Sequence, residues 1–279
     1  MIPGTDPLQG LLDAARAEPG RTLVALDYDG TLAPIVADPE QARPSPGVLD
    51  TLDRLAARIG TLAIVTGRPA ATVVRLAGLA RLHAANLQVR GGYGVERWDA
   101  GTGRVTAPPP PPGLAQARER LGGLLAAAQR DWPGVTLEDK GRALAVHTRR
   151  AQRPGAAYDA LRPLVQALAA DLGLRFEPGR LVLEVRAGGV DKGDALRELV
   201  AETGARAVVY AGDDLGDSPA FTAVAQLRAR PGHVGLRVGV ASSEAHLPAD
   251  LVDVLVDSPA GVLELLDRLA TALSAAPER

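Results

Sequence analysis

The sequence predicts an α/β fold: a doubly wound, mostly parallel (Rossmann-like) sheet core with an inserted α+β cap domain. Short apolar runs without polar alternation, such as residues 22–26 and 208–212, are typical of strands buried on both faces of a parallel sheet. Amphipathic segments between such runs fit the helices that cover both faces. Because a proline run and alternating strands interrupt this pattern midway, we expect a core formed by residues 1–108 and 188–279, and a cap formed by residues 109–187.

The first half of the predicted core places helices and strands in turn. Residues 46–58 predict an amphipathic helix, and residues 61–65 a second buried strand, after which Pro69 is placed to start another helix. Residues 91–106 contain an Asp-Ala-Gly-Thr-Gly turn and predict a hairpin. Residues 108–112 are all proline, which predicts a stiff extended spacer at the border of the cap.

The cap has a strand pattern of its own. We expect strands at 135–140 and 142–149, a helix at 154–171, and a hairpin of strands 175–177 and 181–186 around Pro178-Gly179. Alternation assigns Leu181, Leu183 and Val185 to an apolar face. The opposite face would carry these charged side chains: Glu138, Lys140, His147, Arg149, Glu184 and Arg186. Such a mixture could be merely solvated, but it would also suit a polyhydroxylated phosphate ester, so we expect these residues other than Arg186 to bind substrate.

The doubly wound pattern resumes after the cap. A helix is predicted at 195–202, which places Lys192 near its amino terminus. A strand is predicted at 208–212, and two more strands follow it at 236–240 and 252–256. The last helix is predicted at 261–273.

Two carboxylates, Asp27 and Asp29, follow the first buried strand. In an extended segment side chains at i and i+2 point the same way, so the pair would converge at the carboxyl end of the strand, where α/β sheets bind ligands. Two carboxylates this close imply a divalent cation, an acid–base partnership, or both. A simple Asp-Gly turn remains an alternative, whereas a calcium loop would need glycine and glutamate where Leu32 and Asp38 stand.

Polar residues also follow two other predicted core strands. Thr66-Gly67-Arg68 describes an anion-binding turn, and Asp213, Asp214 and Asp217 end the strand at 208–212. Carboxylates with no oxidisable ligand favour Mg²⁺, while a hydroxyl, backbone N–H groups and Lys192 suit a phosphoryl group. Together these residues predict phosphoryl transfer.

Each reacting group can be assigned a role. Asp27 would be the nucleophile that forms an aspartyl phosphate, and Asp29 the acid toward the leaving oxygen and then the base toward water. Thr66 and Lys192 would assist catalysis by holding the phosphoryl group. Lys140 and Lys192 are the only lysines among 31 basic residues, which favours sites that need a compact ammonium group.

Composition excludes several other functions. The net charge of -2 and a pI near 6.1 do not predict nucleic-acid binding, and the absence of cysteine excludes disulfides and thiolate metal sites. The first residues do not resemble a signal peptide, and the chain contains no run of 18 apolar residues. We therefore expect a soluble cytoplasmic protein that binds neither membranes nor nucleic acid.

The motif from Asp27 to Leu32 resembles the first motif of the haloacid dehalogenase superfamily of phosphatases. Thr66, Lys192 and Gly212-Asp213-Asp214 stand where the other three motifs of that superfamily would be. Ala33-Pro34-Ile35, Glu138-Asp139-Lys140-Gly141 and His147-x-Arg149 are similar to the trehalose-6-phosphate phosphatases.

The resemblance implies a ligand set and a reaction. It places Mg²⁺ on Asp27, the carbonyl of Asp29 and Asp213, phosphate on Thr66 and Lys192, and the distal sugar on three cap residues, Glu138, Lys140 and Glu184. The reaction it implies is Mg²⁺-dependent hydrolysis of trehalose 6-phosphate in trehalose biosynthesis. The expected partner is the small sugar phosphate alone, with the protein a monomer and a functional link to a trehalose-phosphate synthase.

Other functions stay open on sequence grounds. The same core under a different cap would hydrolyse another sugar phosphate, such as sucrose phosphate or mannosyl-phosphoglycerate. A catalytically silent module that binds sugar phosphate and regulates a synthase is a second alternative, which loss of Asp27 or Asp29 would favour. A phospho-acceptor signalling domain would need neither the cap nor a second carboxylate at the strand end.

Overall fold

The computed structural model describes residues 7–36, 38–110, 112–186, 188–241 and 247–274. These residues form two compact units, one running up to Ala107 and resuming at Asp191, the other spanning Pro108–Val190. We call them the core unit and the cap unit. The predicted domain boundaries, with a core at 1–108 and 188–279 and an inserted cap at 109–187, stay a prediction.

The core unit contains an eight-stranded sheet. Its strands are β1 (Thr22–Leu26), β2 (Thr61–Val65), β3 (Leu87–Gly91), β4 (Glu96–Asp99), β5 (Arg104–Thr106), β10 (Ala207–Gly212), β11 (Val234–Val240) and β12 (Val254–Val256). The order is β12-β11-β10-β1-β2-β3-β4-β5, and all pairs from β12 to β3 are parallel. The hairpin of β4 and β5 adds two antiparallel strands at one edge.

Helices cover both faces of this sheet. They are α1 (Pro7–Ala17), α2 (Val48–Ala56), α3 (Ala70–Ala77), α6 (Lys192–Thr203), α7 (Ser218–Arg228) and α8 (Pro259–Ser274). Val24 and Leu26 of β1 pack in the cluster that contains α1, α2, α3 and α8, and Leu23 and Ala25 pack in the cluster of α6 and α7. Both faces of β1 are therefore dry, which is why its sequence is apolar without alternation.

Strand β1 lies where the chain reverses its direction of winding. The chain continues from β1 to β2 on one side, whereas β10, on the other side of β1, continues to β11, so the crossovers on the two sides of β1 run in opposite directions. A crevice opens outside the carboxyl ends of the strands at such a switch point. The doubly wound sheet predicted from the sequence is confirmed.

The cap unit is an antiparallel sheet packed on two helices. The strands β6 (Thr136–Asp139), β7 (Ala143–His147), β8 (Arg175–Gly179) and β9 (Val182–Arg186) run in the order β6-β7-β9-β8, and the helices are α4 (Pro112–Ala128) and α5 (Pro154–Asp171). Leu144, Val146, Leu183 and Val185 pack in one cluster with residues of both helices. The cap is therefore α+β, as predicted.

Three local predictions need correction. The proline run is not an extended spacer throughout, because Pro112 opens α4, where a missing N–H costs no helical hydrogen bond; Pro111 lies outside the described residues. The cap hairpin turns at Arg180 and Leu181 rather than at Pro178-Gly179, since Gly179 pairs with Val182. Leu181 has a φ of +58° and belongs to this turn, not to the strand.

No helix in the described ranges is long and apolar enough to cross a membrane.

Candidate active site

The predicted site residues of the core follow three neighbouring strands. Leu26 of β1 pairs with Ala211 of β10 and with Ile64 of β2, so the residues that follow these strands meet at one edge of the sheet. Asp27, Thr66 and Asp213 are all buried there. The convergence expected from three separate motifs is a consequence of the parallel register.

Asp27 and Lys192 form a buried ion pair at the centre of this edge. Lys192 Nζ lies 2.9 Å from Asp27 Oδ1, and both side chains are less than a tenth exposed. Lys192 is the first residue of α6, and Asp191 and Asp194 form a capping box at the amino terminus of this helix. The next residue must be glycine, because a Cβ on Gly193 would lie 2.4 Å from the carbonyl oxygen of Pro219. Close packing of α6 on α7 thus fixes where the ammonium group points.

Asp217 supports both the lysine and the loop after β10. Its Oδ1 accepts hydrogen bonds from Lys192 Nζ at 2.7 Å and from the Tyr210 hydroxyl at 2.6 Å. Its Oδ2 accepts from the backbone N–H groups of Asp213 at 3.0 Å and Asp214 at 3.2 Å. The carboxylate is fully buried and its oxygens are occupied by four donors, so we interpret Asp217 as the residue that positions the site.

The environment brings several carboxyl groups together in a buried site, which makes their ionisation costly. Burial raises the pKa of Asp27 well above its usual value, and the neighbouring carboxylates Asp217 and Asp213 raise it further against the lowering effect of Lys192. Burial and Asp214 raise the pKa of Asp213 to about 8. Burial alone would lower the pKa of Lys192, but Asp217 and Asp27 raise it well above its usual value. The lysine remains charged, and one cation serves several carboxylates.

A divalent cation fits this group of residues. Oxygens of Asp27, Asp213 and Asp217 lie within 4.8 Å of one another. Since Asp217 is occupied by donors, Asp27 and Asp213 are the carboxylates left to bind a cation, and an all-oxygen set is what Mg²⁺ prefers. Gly30 leaves room for this arrangement: it has a φ of +74°, and a Cβ there would lie 2.1 Å from Asp213 Oδ2.

Asp29 lies in a different environment from Asp27. The chain leaves the extended conformation after Leu26 and turns at Gly30, whose N–H donates to the carbonyl of Ala33. The Asp29 side chain is about a third exposed and forms two hydrogen bonds with Arg68, of 2.6 and 2.7 Å. The carboxylates of Asp27 and Asp29 therefore differ in their partner and in their exposure to solvent, as expected for groups with different roles. The expected contact of the Asp29 carbonyl oxygen with a metal ion stays a prediction.

Arg68 is held by protein groups on both ends of its guanidinium. Besides Asp29, it donates to the carbonyl of Pro39 at 2.9 Å, and it lies over the Tyr28 ring at 5.8 Å from the centroid. The sequence predicted Arg68 as a substrate contact, and that role stays a prediction. The ion pair with Asp29 could not be read from the motif because 39 residues separate the two.

Thr66 and Gly67 form the predicted turn after β2. Thr66 is buried, and its hydroxyl accepts a hydrogen bond from the N–H of Arg68 at 3.1 Å. Gly67 lies against the ring of Tyr93, since a Cβ there would be 2.8 Å from Tyr93 Cζ.

Glu96, to which the sequence analysis assigned no role, accepts a hydrogen bond from the N–H of Ala70 at 2.7 Å, at the start of α3. The two residues lie 26 positions apart in the chain, so no local pattern could indicate this contact.

The cap sheet carries charged pairs on the face opposite its core. Lys140 Nζ donates to Glu184 at 2.7 Å, and His147 Nε2 lies 2.7 Å from Glu138. These residues come from β6, β7, β9 and the residue that follows β6, so alternation correctly placed them together. Arg149 is different: β7 ends at His147, and Arg149 is exposed in the following turn. The prediction that it shares the strand face is wrong.

Comparison with known proteins identifies the family. The model of the trehalose-phosphatase family matches residues 25–246, a span that begins before Asp27 and extends beyond Asp213. The chain belongs to the trehalose-phosphatase family. Members of this family are phosphoric monoester hydrolases, and the resemblance noted in the sequence is confirmed.

Individual relatives agree with this assignment. The trehalose-phosphate phosphatase of Mycolicibacterium paratuberculosis is 35% identical over 96% of this chain and 67% of its own length. The structure of the C. albicans trehalose-6-phosphate phosphatase C-terminal domain has the same fold, with a TM-score of 0.77, 24% identity and coverage of 95% of this chain and 96% of that one. The C-terminal domain of a Candida albicans trehalose synthase regulatory protein also shares the fold, with a TM-score of 0.71, 14% identity and coverage of 94% and 97%.

Proposed function

We propose that this member of the trehalose-phosphatase family hydrolyses trehalose 6-phosphate to trehalose and phosphate, with Mg²⁺ as cofactor and an aspartyl phosphate as intermediate. The observation that carries the proposal is the buried pair of Asp27 and Lys192 beside Asp213. A carboxylate held by a lysine and adjoining a second carboxylate is suited to attack a phosphoryl group whose charge is neutralised nearby.

The first half of the reaction would form a bond to the enzyme. A carboxylate oxygen of Asp27 attacks phosphorus, the bond from phosphorus to the sugar oxygen breaks, and Asp29 gives that oxygen its proton. Lys192 and the Thr66 hydroxyl hold the phosphoryl oxygens. The acid role requires a proton on Asp29, so Arg68 must give up at least one of the two hydrogen bonds it makes there.

The second half would release phosphate. Asp29, now a carboxylate, takes a proton from water, the water oxygen attacks phosphorus, and the bond from phosphorus to Asp27 breaks. Asp27 and Asp213 would hold Mg²⁺, with the Asp29 carbonyl as the family resemblance implies. The ion supplies positive charge that neutralises the phosphoryl oxygens.

Recognition of the sugar is assigned to the charged face of the cap sheet. Glu138, Lys140 and Glu184 offer both acceptors and donors for hydroxyl groups, and His147 pairs with Glu138. Arg149, in the turn after β7, is a further proposed contact. We also infer that the protein acts as a monomer in the cytoplasm, with its substrate supplied by a trehalose-phosphate synthase.

A panel of sugar phosphates assayed with Mg²⁺ and again with EDTA tests this proposal. We expect phosphate release to be fastest from trehalose 6-phosphate and to stop in EDTA. Equal or faster release from sucrose phosphate or mannosyl-phosphoglycerate would support phosphatase activity but contradict trehalose 6-phosphate as the substrate. Release that continues unchanged in EDTA would reject the cofactor.

A silent regulatory module is the second candidate function. It is favoured by the fold shared with the regulatory-protein domain from Candida albicans. Calorimetric binding of trehalose 6-phosphate without any phosphate release would support it. The presence of both Asp27 and Asp29 favours catalysis instead.

A further inference from the structure

A cavity of about 480 Å³ lies between α6, α7 and the start of β10, entirely within the core unit. Its walls are aliphatic, and the buried residues among them include Leu196, Val208, Val224 and Leu227. The volume falls in the range of small-molecule sites, which combine mostly apolar walls with a few polar groups.

This cavity is separate from the active site. It is lined by Arg206, which immediately precedes β10, whereas Asp213 follows the other end of that strand. Six residues of extended chain span roughly 20 Å. Likewise the cavity contacts Val200 and Gly204 near the end of α6, while Lys192 begins that helix.

The rim of the cavity carries a net positive charge. Four arginines line it, Arg21, Arg197, Arg206 and Arg230, and among the residues that the structure describes no aspartate or glutamate belongs to its lining. Two helix carboxyl termini meet there, each carrying about half a negative charge. Glu18 and Asp194, which pair with three of the arginines, offset two more of the four positive charges, so a net excess of about one positive charge remains at the rim.

The arginines differ in how they are already paired. Arg21 and Arg206 share Glu18 at 3.7 and 3.6 Å, and Arg197 pairs with Asp194 at 2.9 Å. For Arg230 the described parts of the chain offer no ion pair. Arg230 is therefore the arginine most available to an added anion.

The side chains that line the cavity indicate what kind of molecule would carry the anionic group. Of the described residues that line the cavity, His233 alone has an aromatic ring, so a nucleobase would find little to stack on. The scarcity of polar side chains other than the rim cations disfavours a sugar, whose hydroxyls need donors and acceptors. A flexible aliphatic chain matches the aliphatic walls, and a carboxylate matches a guanidinium fork.

From this geometry we propose that the cavity binds an acyl-chain carboxylate, with its chain between α6 and α7 and its head group on Arg230. The site is independent of the phosphatase reaction proposed above. It assigns this protein a second ligand class, amphipathic anions.

Titration of the full chain with decanoate tests the proposal, at concentrations below micelle formation, by calorimetry and by methyl NMR of leucine and valine. Decyltrimethylammonium serves as the cationic probe with the same chain. Arg230→Glu removes the head-group contact, and Ala201→Trp blocks the cavity from an exposed position on α6. Arg58→Glu makes the same charge change at an exposed site outside the cavity and serves as the matched control.

We expect decanoate to bind saturably, with the largest shifts at Leu196, Val200 and Leu227, and the cationic probe to bind at least about tenfold more weakly. Arg230→Glu should weaken decanoate binding by a similar factor, Ala201→Trp should abolish it, and Arg58→Glu should leave it unchanged. Binding should persist in Asp27→Asn and in EDTA.

Several results would overturn the proposal. They are an absence of methyl shifts at these residues, equal binding of the two probes, and equal effects of Arg230→Glu and Arg58→Glu. Concentration-dependent dimerisation that Ala201→Trp abolishes would assign the cavity to a second copy of the chain instead.

Discussion

Replacing Asp217 by alanine should destabilise the core unit more than any single exposed charge could. The Asp217 carboxylate accepts four hydrogen bonds, and it is fully buried with Lys192 and Tyr210. Its removal leaves a buried ammonium group with Asp27 alone, and leaves the buried Tyr210 hydroxyl and two backbone N–H groups without their acceptor. Breaking a buried ion pair in this way costs about 3 to 5 kcal/mol.

The expected effect on thermal unfolding follows from that free energy. For a unit of this size each kcal/mol lowers the midpoint by about 2 to 4 °C, so Asp217→Ala should lower it by roughly 6 to 20 °C. Differential scanning calorimetry measures this shift directly. The turnover number should fall as well, because Lys192 and the loop of Asp213 lose their support, even though Asp217 is not assigned a contact with substrate.

Asp267→Ala is the matched control. Asp267 forms an ion pair with Arg54, and both side chains are about half exposed. Exposed pairs contribute about 0 to 1 kcal/mol, so the control should shift the midpoint by no more than a few degrees. Equal shifts for the two variants would refute the interpretation that Asp217 holds the site together.

Four further outcomes are expected. Asp27→Asn should abolish phosphate release while the circular dichroism spectrum stays native, and substantial residual turnover would remove Asp27 as nucleophile. Gly30→Ala should abolish Mg²⁺ binding in calorimetry, because its Cβ would overlap the Asp213 carboxylate; unchanged affinity would contradict the assigned ligand. The pKa of Asp213 is raised to about 8 in the folded state, so between about pH 4 and pH 8 the native state holds a proton that the unfolded state has lost. In EDTA the free energy of unfolding in urea should therefore fall as the pH rises through this window, by about 2 kcal/mol between pH 6 and 8, and Mg²⁺ should abolish the fall. Glu138→Ala should slow turnover of trehalose 6-phosphate far more than that of p-nitrophenyl phosphate, and equal slowing would exclude a role in reading the sugar.

The parts of the fold that the sequence predicted are those set by local pattern. Strands β1, β2 and β10 are buried on both faces, so their apolar runs identify them without knowledge of their neighbours. Because these strands are parallel and adjacent, the residues that follow them had to meet. This is why Asp27, Thr66 and Asp213 could be grouped before any contact was known.

Strand β3 was missed because its sequence is partly polar. Gln88 and Arg90 interrupt its apolar run, yet the Arg90 side chain is only 2% exposed. Two glutamates of α6, Glu198 and Glu202, pair with its guanidinium from more than 100 residues away. Such a buried charge is compatible with a central strand only because of partners that no local pattern can indicate.

Within the site, the errors also arise from long-range or backbone effects. The ion pair of Arg68 with Asp29 was not foreseen, because it depends on the turn at Gly30; the expected substrate contact of Arg68 stays a prediction. Arg149 was expected on a strand face, but the strand ends at His147. The role of Asp217 was not assigned because its partners, Lys192 and Tyr210, come from other elements. Residue types were thus predictable, whereas their pairings required the fold.

The most direct test of the central claim is to trap the phosphoenzyme. Acid quenching of the first turnover with labelled trehalose 6-phosphate, followed by borohydride reduction of the acyl phosphate and mass spectrometry, identifies the phosphorylated side chain. We predict that the modification lies on Asp27, that it requires Mg²⁺, and that it is absent in Asp27→Asn. A protein that releases phosphate at full rate with no modified aspartate, or with the modification on another carboxylate, would contradict the account.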